Sequence, residues 1–155
     1  MPWLLKTEPD VFSFSDLLAA PARTTLWEGV RNYQARNFLR VMRLGDDVVV
    51  YHSSTQTPGV VGLARVAKEA HPDLAQFDAQ SPYFDAKATP DAPRWDAVEV
   101  QGVSALPRFV PLAELRAHPE LQNLKLLQKG NRLSVMPLTE REFQVIVRLG
   151  HLEDR

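Results

Sequence analysis

The apolar positions of this chain fall into short runs that are separated by turn residues. Residues 48–51 and 60–66 are rich in β-branched side chains and flank a polar loop, and residues 97–103 alternate apolar with polar positions, so we predict a strand in each. Residues 3–6 and 132–135 carry similar short runs. These strands are spread along the whole chain without a regular alternation of strand and helix, which favours an α+β fold.

Helical spacing is clearest in residues 32–42. Apolar residues there recur at i, i+3, i+4 and i+7, the pattern of an amphipathic helix that buries Ala35, Phe38, Leu39 and Met42. We also predict a short helix that begins after Ser13, and a final helix that opens with a capping box at Thr139 and ends at Gly150.

The remaining segments predict shorter elements. Residues 111–115 and 119–127 favour two short helices, whereas the proline-rich residues 71–94 predict a long irregular connection. Together these elements predict a small curved mixed β-sheet or open barrel that is flanked by short helices.

Length and composition narrow the class of protein. The chain has 155 residues, 18 basic and 19 acidic side chains and no cysteine, so we expect one domain over residues 1–155 that folds without disulfides. The four histidines lack metal-ligand spacing, and we expect no metal and no cofactor. No apolar run reaches the roughly 18 residues of a membrane span, and the first residues lack the order of a signal peptide. We therefore expect a cytoplasmic protein with no membrane contact, whose oligomeric state the sequence leaves open.

The charges are unevenly distributed although they nearly cancel. Residues 23–43 hold five arginines and one acid, and Lys125, Lys129 and Arg132 form a second basic segment. Arg36 and Arg40 lie four residues apart and therefore project from one side of the predicted helix. Such clusters are expected either to be an ordinary solvated surface or to bind phosphates.

An aromatic and polar cluster lies just before this arginine-bearing helix. Trp27 and Tyr33 flank a glycine and the amide of Asn32, and Tyr51 and Ser53 lie at the end of another predicted strand. A flat base needs an aromatic face for stacking, a polar group for its edge and a cation for its phosphate, and all three are present. The alternative at this point is that the two aromatic residues belong to the core.

Catalysis is the less favoured hypothesis. Lys6, Glu8 and His52 near strand ends could act as acid and base, but the chain has no phosphate-binding glycine loop and no nucleophile motif. We expect a non-enzymatic protein. The open alternatives are an enzyme that acts on a nucleotide or modified RNA, and a module that binds a free small molecule.

Four motifs, in order along the chain, carry a family resemblance: residues 3–9, 27–37, 51–53 and 132–135. Together they resemble the EVE domain family, over nearly the whole chain. The resemblance implies a PUA-like fold, related to the YTH and SRA readers, and binding of a modified nucleobase of DNA or RNA in a pocket with aromatic walls.

The resemblance also implies roles for individual residues. The ligand-binding set it implies is Lys6, Glu8, Trp27, Asn32, Tyr33, Tyr51, Ser53, Arg132 and Ser134. The residues expected to bind phosphates are Arg36, Arg40 and Lys129. The sequence departs from the usual family pattern at Thr7, Asn131 and Met136; the last two flank the final motif and bear on how the edge of the base is read.

Overall fold

A computed structural model describes residues 1–152, so the last three positions of the predicted domain, 153–155, lie outside the described residues. Its strands are β1 (Trp3–Thr7), β2 (Thr24–Trp27), β3 (Asp47–His52), β4 (Gly59–Pro72), β5 (Asp96–Pro111) and β6 (Val135–Pro137). Its α-helices are α1 (Phe14–Ala19), α2 (Tyr33–Val41), α3 (Leu112–Ala117) and α4 (Glu140–Leu149). Among the described residues, no helix is both long enough and apolar enough to cross a membrane.

The strands form one six-stranded sheet in the order β2-β5-β4-β3-β1-β6. β1 runs parallel to β3, and the other neighbouring pairs are antiparallel. This mixed sheet with short flanking helices confirms the predicted α+β class.

Core residues cover both faces of the sheet. Successive side chains of a strand point to opposite faces, so Leu5 of β1 joins one layer and Leu4 the other. The first layer includes Leu39 of α2, and the second includes Ile146 of α4. The helices therefore bury the apolar faces that their spacing predicts.

Side-chain caps begin both α2 and α4, although of these two only the cap of α4 was predicted. Asn32 caps α2, because its side-chain oxygen accepts a hydrogen bond from the Ala35 amide at 2.9 Å. Thr139 and Glu142 form the predicted capping box of α4. These elements were predictable because their signals lie within a few residues of each other.

Several segments differ from the prediction. The strand predicted at residues 132–135 is displaced to β6, because the Asn131 side chain accepts from the Leu133 amide at 2.8 Å and holds residues 131–134 in a turn. β4 and β5 run well beyond residues 60–66 and 97–103, because each pairs with the other past these limits through several register shifts. Residues 119–127 form two 3₁₀ turns, Pro119–Leu121 and Lys125–Leu127, rather than one helix. Leu121 and Leu124 are both fully buried, and between the two turns the Leu124 amide donates to the Leu121 carbonyl at 3.0 Å.

Candidate functional site

The two ends of the strand order meet around one cavity. Thr25 and Trp27 of β2 line it, and so does Ser134, which precedes β6 at the opposite end of the sheet. The sheet therefore curves, as an open barrel does. The cavity volume is about 640 Å³, within the range of roughly 300–1,000 Å³ that is usual for small-ligand sites. Its other lining residues are Lys6, Thr7, Glu8, Val11, Phe12, Leu26, Glu28, Gly29, Val30, Arg31 and Tyr83.

Trp27 forms an aromatic wall of this cavity. Only 8% of its surface is exposed, and the ring of Phe12 packs edge-on against it with 6.5 Å between ring centroids. The Thr7 hydroxyl donates to the Phe12 carbonyl at 2.6 Å and so fixes the segment that carries this second ring. The Trp27 ring is thus part of the core, and the backbone that carries Phe12 is fixed by a hydrogen bond.

A buried carboxylate positions the loop after Trp27. Asp73 is fully buried, and its Oδ2 atom accepts from the Gly29 amide at 2.9 Å and from Arg31 Nη1 at 3.0 Å. Arg31 also donates through Nε and Nη2 to the carbonyl of Tyr83, at 3.0 and 2.7 Å. Arg31 thereby joins the loop, the buried acid and the distant Tyr83 in one wall.

Gly29 leaves room for the Tyr83 ring. A Cβ atom at Gly29 would lie 2.6 Å from the ring, and the glycine has a φ of +84°, in the left-handed region that disfavours other residues. This contact explains why a glycine follows Trp27 and Glu28 in the motif.

We expect Gly29→Ala to destabilise the protein more than Gly45→Ala does. Gly45 has a φ of +86°, but no atom of the described residues lies within 4 Å of its Cβ position, so its substitution adds backbone strain alone, about 1–2 kcal/mol. Gly29→Ala adds a clash with Tyr83 that costs about 1–2 kcal/mol more. Urea denaturation measures both changes, and equal losses would contradict the clash.

The charged residues of the cavity have perturbed acidities. Burial lowers the pKa of the Lys6 ammonium. Burial and the negative charge of Asp73 raise the pKa of Glu28, and Arg31 opposes them. Within residues 1–152, the carboxylate of Glu28 has no hydrogen-bonded or ion-paired partner, so its oxygens are available to a ligand. The cavity thus offers an ammonium donor and carboxylate acceptors beside an aromatic wall.

Four of the residues implied as ligand-binding line the cavity: Lys6, Glu8, Trp27 and Ser134. The backbone joins two of them, since the Lys6 amide donates to the Ser134 carbonyl at 2.9 Å.

The structure does not bring the other implied ligand-binding residues to the cavity. Asn32 caps α2, and Tyr33 stacks on Trp95 with a centroid distance of 4.6 Å. Tyr51 is 3% exposed and belongs to the core layer opposite α2. The Ser53 amide donates to the carbonyl of the lining residue Thr7 at 3.0 Å, but Ser53 itself does not line the cavity.

Arg132 and the phosphate-binding candidates lie outside the cavity lining. Arg132 and Lys129 are exposed in the segment before β6. Arg36 lies over the Tyr33 ring at 4.7 Å and donates to a backbone carbonyl, and Arg40 forms an ion pair with Asp96.

Several lining residues were missed by sequence reasoning. Tyr83 comes from the irregular connection, 52 residues from its partner Arg31, and no local pattern indicates that contact. Phe12 lies in a turn and was not assigned a role. Glu28 and Arg31 lie within the family motif at residues 27–37, and their place in that motif was the sequence signal that could have identified them.

The fold separates the three residues that were considered as acid and base, Lys6, Glu8 and His52. Lys6 and Glu8 line the cavity, but His52 Nε2 accepts from the Phe14 amide at 3.1 Å, at the start of α1. Among residues 1–152, no group of acids and histidines is arranged to hold a metal ion.

The His52 contact predicts a pH dependence of stability. Burial lowers the pKa of His52 below its ordinary value of 6.5, so the folded state favours the neutral ring that accepts from Phe14. This contribution is complete above about pH 6.5 and is lost as the pH falls from there through the folded-state pKa. We expect His52→Gln, which keeps an acceptor but cannot titrate, to lose less stability than the wild type between about pH 7 and pH 5 in urea denaturation.

The matched control is His151→Gln, which removes an exposed imidazole beyond the end of α4 and leaves α1 untouched. If both variants reduce the pH dependence of the free energy of unfolding equally, the His52 contact does not cause that dependence.

Comparison with known proteins identifies the family. A family model of the EVE domain matches residues 2–149. The chain belongs to the EVE domain family. Human thymocyte nuclear protein 1 is 43% identical to this EVE domain, over 97% of the present chain and 74% of the human protein.

Solved structures agree in fold. The crystal structure of human THYN1 in complex with 5-methylcytosine containing DNA matches this EVE domain with a TM-score of 0.94 and 43% identity, covering 99% of each chain. The YTH domain of Zygosaccharomyces rouxii MRB1, solved with N6-methyladenosine RNA, matches with a TM-score of 0.53 and 14% identity, covering 99% of the present chain and 86% of that chain. The second match concerns the fold alone, and it agrees with the PUA-like architecture.

Proposed function

We propose that this EVE domain is a non-enzymatic reader that takes one modified nucleobase of a nucleic acid into the cavity beside Trp27. The observation that carries the proposal is an aromatic-walled cavity in a fold that matches, over 99% of its length, a protein solved with 5-methylcytosine containing DNA. A modified base bound by this chain is the function that this geometry supports best.

The cavity supplies each interaction that such a base requires. Trp27 offers a π-face for stacking, which contributes about 1–3 kcal/mol per base. The Lys6 ammonium can donate to a ring nitrogen or carbonyl oxygen, while Glu8 and Glu28 can accept from an exocyclic amino group. Ser134 adds a hydroxyl that can do either.

Phosphate binding is assigned to the basic residues around the site. Lys129 and Arg132 precede Ser134 in the chain and are exposed, so their charges are available to a flanking backbone. Arg36 and Arg40 already have partners within the protein, and we assign them a smaller share of the phosphate contacts.

The proposal is tested with four oligonucleotides that differ at one base: cytosine, 5-methylcytosine, uracil and thymine. The methyl group should make 5-methylcytosine bind more tightly than cytosine, and thymine more tightly than uracil, by about 5- to 150-fold. A methyl group in an apolar site contributes about 1–3 kcal/mol of binding free energy. The comparison of 5-methylcytosine with thymine exchanges the donor and acceptor at C4 and N3 at constant methylation. Fluorescence anisotropy gives the dissociation constants.

The variants Glu8→Gln and Glu28→Gln should change the preference for the amino base and leave the methyl effect intact. Equal binding of cytosine and 5-methylcytosine by the wild type would overturn reading of this methyl group in the cavity.

A further inference from the structure

An exposed apolar residue stands at the mouth of the cavity. Val11 lines the cavity, yet 66% of its surface is exposed. The amides of Val11 and Phe12 both donate to the Glu8 carbonyl at 2.9 Å, and the Thr7 hydroxyl holds the Phe12 carbonyl at 2.6 Å. A braced turn, rather than a loose loop, therefore presents the Val11 side chain to solvent.

A second apolar residue lies on another element of the cavity. Leu26 of β2 also lines the cavity and is exposed. β2 ends the strand order, and among residues 1–152 it pairs with β5 alone, so one edge of it is unpaired. Single exposed apolar residues are common on protein surfaces. What distinguishes these two is that both belong to the cavity in which the base is proposed to bind.

The position of the aromatic wall determines how a base can reach it. Trp27 and Val30 are core residues with 8% and 5% of their surfaces exposed, so the wall cannot move outward into a nucleic acid. A base in a double helix is stacked between its neighbours and must rotate out of the helix to enter such a cavity. Its departure leaves a gap in the stack, and proteins that separate base steps commonly insert an apolar side chain there.

The charge of the turn indicates which part of a nucleic acid it meets. Glu8 and Asp10 are exposed on either side of Pro9, and residues 7–22 contain no lysine or arginine. Such a turn is repelled by phosphates, but its carboxylates can accept N–H donors from base edges. Contact with bases is therefore favoured over contact with the backbone.

We propose that this EVE domain takes its base from a double helix and that Val11, assisted by Leu26, enters the gap that the departing base leaves. This inference rests on the proposed function. It assigns Val11 a role only in double-stranded nucleic acid, since a single strand has no such gap to fill.

The test compares Val11→Ser with the matched control Val41→Ser, which alters an exposed valine of α2 outside the cavity lining. Each is titrated with one 5-methylcytosine oligonucleotide, as a duplex and as a single strand. We expect Val11→Ser to weaken duplex binding about tenfold more than it weakens single-strand binding, because only the duplex loses the apolar surface of the inserted group. Val11→Leu should keep duplex affinity, and Val41→Ser should leave both unchanged.

Equal losses on duplex and single strand, or no loss on the duplex, would overturn the role of Val11. So would a wild-type protein that binds the single strand and not the duplex, although the proposed function would then stand. A wild type that does not distinguish 5-methylcytosine from cytosine would instead count against the proposed function, while the duplex-to-single-strand ratio would still decide the role of Val11.

Discussion

Replacing Asp73 with alanine is expected to lower the free energy of unfolding by about 3–5 kcal/mol, because it leaves the half-buried Arg31 guanidinium without its counter-charge. The substitution also removes the acceptor of the Gly29 and Ala75 amides. Unpaired buried donors add to the loss. Urea denaturation followed by tryptophan fluorescence measures it.

Two further variants separate the causes. Asp73→Asn keeps an oxygen acceptor but removes the charge, and its loss should be intermediate. Glu120→Ala breaks an exposed ion pair with Arg141, and we expect it to be nearly neutral. If Asp73→Ala is as stable as the wild type, Asp73 does not hold the wall of the cavity.

The second large effect is expected at Trp27. Trp27→Ala should lower the free energy of unfolding by about 3–5 kcal/mol, since the ring is almost completely buried against Phe12 and the core. Under the proposed function it should also lose the stacking of one base, about 1–3 kcal/mol of binding free energy. Denaturation and titration report the two losses separately.

Because the alanine variant is strongly destabilised, Trp27→Phe is the variant for affinity measurements. Its matched control is Trp3→Phe, which alters another buried tryptophan that does not line the cavity. Both should lose some stability, but only Trp27→Phe should bind the modified base more weakly. Equal affinity of the two variants would assign Trp27 to the core alone.

Local signals predicted two helices that pack on the sheet. The apolar spacing of α2 and the capping box of α4 each lie within one or two turns of helix, so a short stretch of sequence contains the whole signal. The length of β4 and β5 could not be predicted this way. It depends on pairing between residues that are far apart in the chain, such as His71 with Ala97.

The composition of the site was only partly predictable for the same reason. Trp27 and Glu8 belong to motifs that could be read directly, but nothing local indicates that Tyr83 packs against Gly29. Tyr51 shows the opposite difficulty. An aromatic residue at the end of a β-branched run fits either face of a sheet, and only the surrounding layers place it in the core opposite α2.

The position of β1 in the sheet has a consequence for folding. β1 lies between β3 and β6, and Trp3 pairs with both Val48 and Pro137. Joining the two ends of the chain closes a long loop, and sheets built from such distant pairs fold slowly. During synthesis one edge of β1 stays unpaired until residues 135–137 emerge. Because Ser134 completes the cavity wall beside Lys6, a nascent chain has no finished cavity until β6 has left the ribosome.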